Sequence, residues 1–194
     1  MTTEVTIDML RKLVSYDPAT GILTWKHRPV EMFRDGKQSA QHNTAIWNGK
    51  HAGKPAFNTP KNNGYLAGKI FRQTKLAQRA ALAIETGEWP DDDADHINGI
   101  RTDNRFANLR SATRTENMQN TKIRSDNTSG TVGVSWYVAT SKWAAYIKTD
   151  GRKKHLGYFL DLADAVAARK GAEAEHGFHP NHGRTHAVTQ DSPK

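Results

Sequence analysis

Asp95-His96-Ile97-Asn98-Gly99, Asp103-Asn104-Arg105, Asn108-Leu109-Arg110 and the pair Asn117 and Asn120 bring an imidazole, carboxylates and several amides into one short stretch. Residues of these types fit the hydrolysis of a phosphodiester. That reaction needs a base to activate water and a divalent cation to offset charge on the phosphate and the leaving oxygen. An imidazole with an ordinary pKa of about 6.5 accepts a proton at neutral pH. Carboxylate and amide oxygens are hard ligands suited to Mg²⁺ or Mn²⁺, with waters and phosphate completing the shell. His96, Asp95 and Asn117 supply those parts. On chemistry alone a blander reading stays open, a solvated His–Asp pair among turn-forming asparagines.

The elements that must hold these groups are legible around them. Asn98-Gly99 is a turn signal. Thr113-Arg114-Thr115-Glu116 fits a capping box with Thr113 as N-cap, so Asn117 falls in the first full turn of a helix. The pattern is strand, loop, strand, helix, with His96 on the first strand. Neighbours in a regular strand face opposite ways, so Asp95 and His96 share a site only if the strand bends or ends there.

Upstream, Thr6 caps a short helix on which Ile7, Leu10, Leu13 and Val14 recur at helical spacing. A turn at Asp17–Gly21 leads to a strand at Ile22–Trp25. Residues 28–63 mix Gly, Asn, Lys and His with isolated apolar residues and predict irregular structure with at most a short strand. Residues 65–71 read as a strand, and Leu76–Ile84 as a helix ended by Gly87 and Pro90. Residues 121–130 have the composition of a linker. Three strand signals follow, Gly133–Tyr137, Lys142–Lys148 and Lys154–Phe159, the last two joined through Asp150-Gly151. A helix capped by Asp161 carries Leu162, Ala165, Val166, Arg169 and Ala172 along one face. The tail from Gly177 reads as disordered. Its histidines (His176, His179, His182, His186) are a weakly organised candidate for metal binding.

The chain has 194 residues, 36% of them apolar, with a mean hydropathy of −0.77. Two small cores fit this better than one large one. Lys and Arg number 28 against 20 acids, a net charge of +8, which points to a polyanion or an anionic membrane as partner, with a solvated basic surface as the blander reading. No apolar run approaches the roughly 18 residues of a membrane span, and MTTEVTID lacks the order of a signal peptide. With no cysteine, thiolate zinc fingers, Cys nucleophiles and Cys-held iron–sulfur clusters are excluded. These features predict a cytoplasmic protein.

The spaced elements of 95–120 resemble the HNH endonucleases, in the His–Asn–Asn variant of phage and intron-encoded homing enzymes. Tyr16-Asp17-Pro18-x-x-Gly21-x-Leu23-x-Trp25 and Gly87-Glu88-Trp89-Pro90 are similar to the N-terminal region of phage HNH proteins. The resemblance implies His96 as general base, Asp95 and Asn117 as ligands of one divalent cation, Mg²⁺ or Mn²⁺, and Asn108 as a brace for the loop presenting His96. Two positions depart from the pattern. Asn117 stands where His is common at the last motif position, which favours Mg²⁺. Gln78 stands where related phage proteins often carry His.

Between residues 118 and 160, seven cations face two acids, interleaved with Trp136, Tyr137, Trp143 and Tyr146. Alternation puts Trp143, Ala145 and Ile147 on a core face and Lys142, Tyr146 and Lys148 on an exposed one. Gly133-Val134-Ser135-Trp136, Lys142-Trp143-Ala144-Ala145-Tyr146-Ile147, Leu156-Gly157-x-Phe159 and Ala163-x-Ala165-x-x-Ala168 resemble the plant ethylene-response-factor, or Apetala-type, DNA-binding domain. That resemblance implies a three-stranded sheet read into the major groove, with DNA contacts at Ser135, Tyr137, Tyr146, Lys148, Lys153 and His155. Several of these positions are Arg or Trp in the plant domains, so the plant target does not carry over.

The expectation is an α+β protein: a ββα-metal HNH nuclease at 1–120, a basic linker at 121–130, a three-stranded antiparallel sheet on one helix at 131–177 and a tail at 178–194. It is expected to be a phage-encoded endonuclease acting on double-stranded DNA in a bacterial host, as a monomer or weak dimer. Lys122 and Arg124 are expected to meet phosphates. The rival readings are a sequence-specific DNA-binding protein with an inactive nuclease, and a basic RNA-binding protein.

Overall fold

The computed structural model describes residues 4–149 and 151–185. The protein is α+β. It forms two compact units, one comprising the chain up to His96 with Arg101–Ser111, the other Ile97–Ile100 with the chain from Ala112.

The first unit opens with α1 (Ile7–Leu13), whose Met9 amide donates to Thr6 Oγ1 as the sequence predicts. Leu10 and Leu13 point into the core. The chain runs directly into β1 (Val14–Asp17), which pairs antiparallel with β2 (Ile22–Trp25) across the Asp17–Gly21 turn. The region expected to be irregular contains a twelve-residue helix, α2 (Ala40–His51). Its only apolar residues are Ala40, Ala45, Ile46 and Trp47, so no apolar stripe announces it. Its start is fixed by caps instead: Ser39 Oγ accepts from the His42 amide, and Asp35 Oδ1 accepts from the Ala40 amide.

A small sheet follows, in the order β3 (Thr59–Pro60), β4 (Leu66–Ile70), β5 (Gln73–Leu76), all antiparallel. Its last strand feeds α3 (Ala77–Thr86), which ends on Gly87 in the left-handed conformation (φ 89°), as the C-cap signal predicts. The helix buries Ala77, Ala80 and Ala83 against Leu10, Leu13, Val14, Leu23 and Ile70, the main core. On its other side Ala81 and Leu82 meet Ala94 and Leu109. These belong to the pair β6 (Asp93–His96) and β7 (Leu109–Ala112), which carries the polar constellation.

The second unit contains α4 (Arg114–Gln119), with the predicted capping box between Thr113 and Glu116. Its sheet runs β8 (Val134–Tyr137), β9 (Lys142–Thr149), β10 (Arg152–Phe159) in the order β10-β9-β8, antiparallel throughout. Helix α5 (Leu162–Glu175) covers one face, packing Ala165, Leu162 and Val166 on Val134, Trp143, Ala145 and Phe159. Arg169 and Glu173 of α5 form a buried ion pair at 2.9 Å, and Arg169 also donates to Tyr146 O.

The segment 178–185, expected to be disordered, is hydrogen-bonded. Gly183 N donates to Thr121 O, Ile123 N to Arg184 O, and Asn181 Nδ2 to Ile97 O. His182 is buried and accepts from Arg169 Nη2. His186 and the rest of the tail from 186 to 194 lie outside the described residues, as does Asp150.

Candidate nuclease site and nucleic-acid face

His96 is the last residue of β6 and is 2% exposed. The strand ends there, as required for Asp95 and His96 not to be held to strict alternation. The His96 Nε2–H donates to Asn104 Oδ1 at 3.0 Å, which places the basic lone pair on Nδ1 in the neutral ring. Burial pushes the imidazole pKa below its ordinary value. The Asn104 bond and the carboxylates of Asp95 and Asp103 partly oppose that shift.

Asn104 is itself 4% exposed and rigidly placed. Its carbonyl accepts from the Tyr16 hydroxyl at 2.7 Å, and two residues on, Phe106 N donates to Pro18 O. Burial and the nearby acids Glu85, Asp17 and Asp103 hold the Tyr16 hydroxyl well above its ordinary pKa, so it stays a donor. Gly21 lets the hairpin come this close, since a Cβ there would lie 2.5 Å from Arg105 N at a φ of +77°. The Tyr-Asp-Pro-x-x-Gly segment thus braces the loop that orients His96.

Asn108 is fully buried and its Nδ2 donates to Asp103 O at 2.7 Å, across the same loop. Asp103 also takes a two-pronged ion pair from Arg105, at 2.8 and 2.6 Å. Asp95 is held from β7: Arg110 Nε and Nη2 both donate to its Oδ2, at 3.1 and 3.0 Å. Composition did not reveal the roles of Asn104, Tyr16 and Arg110. The signal was present for all three, because each lies in a motif segment that had no function attached to it.

Asn117 lies on α4 in the second unit and is half-buried. Among the described residues no group of three or more His, Asp or Glu side chains gathers as a metal cage. One carboxylate and one amide oxygen match a cation that keeps several waters and takes phosphate oxygens, as Mg²⁺ does. Asp95 in the first unit and Asn117 in the second each carry an oxygen of the hard-donor type that such an ion takes.

In the second unit the predicted DNA contacts fall together. By the β8–β9–β10 register, Ser135, Tyr137, Tyr146, Lys148, Lys153 and His155 share one face of the sheet, opposite the face covered by α5. Tyr158, which the sequence reading left out, is on that face too, with its ring 5.4 Å from Tyr137 and 4.4 Å from His155. Lys153 Nζ lies 3.6 Å above the Tyr146 ring. Lys122 and Arg124 line a cleft with Ser135 and Tyr146, and Arg124 pairs with Asp126 at 2.8 Å on the exposed surface.

Residues 75–119 match the family model described as HNH endonuclease. Protein 3.8 of Escherichia phage T7 is 37% identical over 73 residues, which is 38% of this chain and 60% of that relative. The chain therefore matches less than two thirds of the phage protein's length. No solved structure matches significantly. No helix among the described residues is long and apolar enough to cross a membrane. The β6–β7 pair with its buried, oriented histidine lies inside the segment that is similar to the HNH endonuclease family.

Proposed function

We propose that this protein is a phage-type DNA endonuclease that hydrolyses phosphodiester bonds with one divalent cation, guided by its C-terminal sheet. The observation that carries the reading is a buried histidine, in a segment matching HNH endonucleases, with its ring fixed by Asn104. In the reaction, water attacks the phosphorus and gives its proton to His96 Nδ1. The bond from phosphorus to the 3′ oxygen breaks, leaving a 5′-phosphate and a 3′-hydroxyl protonated from solvent. Asp95 and Asn117 would hold the cation, Mg²⁺ or Mn²⁺, which when bound supplies positive charge beside the phosphate and leaving oxygen. Asn104 keeps the proton of His96 on Nε2, Asn108 fixes the loop between them, and Arg110 orients Asp95.

The Apetala-type reading of residues 131–177 rests on the motif resemblance and on the exposed face that gathers Ser135, Tyr137, Tyr146, Lys148, Lys153 and His155. Strands can enter the major groove as helices do. Lys122 and Arg124 add phosphate contacts beside it.

Cleavage of supercoiled plasmid with Mg²⁺ tests the proposal, comparing wild type with His96→Ala and each with EDTA. Cleavage by the wild type, abolished by the substitution and by EDTA, is the expected result. Tight duplex binding with no cleavage, on plasmids carrying the protein's own locus, would replace it with the inactive DNA-binding reading.

A further inference from the structure

The first unit carries a second concentration of positive charge, outside the matched nuclease segment. Residues 26–54 contain six cations (Lys26, Arg28, Arg34, Lys37, Lys50, Lys54) against Glu31 and Asp35 alone. None of the six takes part in an ion pair among the described residues. Arg28 is the best fixed of them. Buried Asn48 of α2 grips its backbone from both sides, accepting from Arg28 N and donating to Arg28 O, each at 2.9 Å. The guanidinium then lies 3.7 Å over the Trp47 ring and 5.3 Å from that of Trp25. Its Nε is buried with no hydrogen-bond partner.

A cation withdrawn from water costs free energy unless an anion offsets it. Here no carboxylate does, and burial alone pushes the Arg28 pKa down. More positive charge gathers beside it. The His51 ring is 5.0 Å from Trp47, and its pKa is pushed down by burial and by Lys50, Arg28 and Lys54 together. With Nε buried, the Nη groups of this rigidly held arginine are the donors left for a phosphate oxygen.

We infer that Arg28, set on the Trp25–Trp47 floor, forms with the neighbouring Lys50 and Lys54 a contact for the phosphate backbone of duplex DNA. The inference rests on the DNA-endonuclease reading and gives residues 26–54 a role in it. A backbone contact fits better than base stacking, because Trp47 is covered by Arg28 and Trp25 by Phe57 and Trp47. No open aromatic face is left for a single strand.

The test is duplex binding by fluorescence anisotropy over a salt series, in EDTA, with the full chain carrying His96→Ala. Each phosphate contact removed should lower the slope of log affinity against log salt by about 0.9. Arg28→Met keeps the packing on Trp47 without the charge. With Lys50→Ala and Lys54→Ala it should lower the slope by about 2 to 3, equally on specific and random duplex. The exposed pair Lys50→Ala/Lys54→Ala alone should lower it by about 2, which keeps the test intact if the arginine variant folds poorly. An unchanged slope in both variants overturns the inference, as does tighter binding of double-stranded RNA or polyglutamate than of duplex DNA at this patch. The two proposals fail separately: an unchanged slope with active wild-type cleavage sinks only this one, and a lowered slope without wild-type cleavage sinks only the nuclease reading.

Discussion

Asn104 accepts the Nε2–H of His96 at 3.0 Å, and both side chains are buried. The bond selects the tautomer whose Nδ1 is basic and holds the ring against rotation. Asn104 is therefore a positioning residue for the proposed base. Removing the base by His96→Ala should slow cleavage by about 10²- to 10⁴-fold. Asn104→Ala should lower kcat by about tenfold with little change in KM, a part of the general-base effect. Asn104→Asp gives the sharper check, since a carboxylate facing Nε2–H raises the imidazole pKa and moves the acid limb of kcat/KM to higher pH. A merely structural role would leave that limb in place.

The bracing of Asn104 by the N-terminal hairpin yields a second prediction. Tyr16→Phe removes the hydroxyl that donates to Asn104 O and should cost about 1 kcal/mol. Gly21→Ala forces a Cβ against Asn104 and Arg105 at a positive φ and should cost about 2 kcal/mol. Thermal or denaturant unfolding reads both. Each should also slow cleavage, although neither residue lies in the segment matched to the nuclease family.

Metal-free protein in EDTA should lose stability as the solution is acidified. The buried His96 imidazole has a lowered pKa, so the unfolded chain takes up the proton first as pH falls. The contribution is complete above the ordinary histidine value of about 6.5 and is lost as pH drops through the folded value. The melting temperature of the wild type should fall with acidification more steeply than that of His96→Gln. Parallel curves for the two proteins would refute the prediction.

Arg184 should prove to be the fastening of the C-terminal segment. Its Nη1 donates to Asn120 O and to Asn120 Oδ1, both at 2.7 Å, and its guanidinium fills the space beside Gly99 that a Cβ would need. Arg184→Ala should cost about 2 kcal/mol, the scale of hydrogen bonds from a charged donor. Hydrogen exchange is the direct measurement, with the Gly183 and Ile123 amides, which bond Thr121 O and Arg184 O, losing protection first.

Breaking the buried pair of α5 should unfold the second unit more readily. Glu173→Ala leaves Arg169, 3% exposed, without its carboxylate and should cost about 3 kcal/mol or more. Replacing both residues with apolar ones of similar size should recover much of the loss, which calorimetry of the single and double variants would show.

Local chemistry was legible in the sequence. The Thr6 cap, the Thr113–Glu116 capping box, the Gly87 stop and the alternation that separates Trp143 and Ala145 from Tyr146 and Lys148 all reappear in the structure. Each depends on residues a few positions apart, so the chain itself carries the information. Helix α2 did not show, because caps and the packing of Trp47 on Trp25 hold it where an apolar stripe is missing. The positions of Asp95, His96, Asn108 and Asn117 on strand, loop and helix were readable from spacing. The long-range ties were not: Tyr16 reaches Asn104, the partner of His96, across 88 residues, and Arg184 fastens the C-terminal segment to Asn120 across 64. Hydrogen bonds of that reach leave no periodicity in the chain, and only the packed core and the folded-back C-terminal segment bring their ends together.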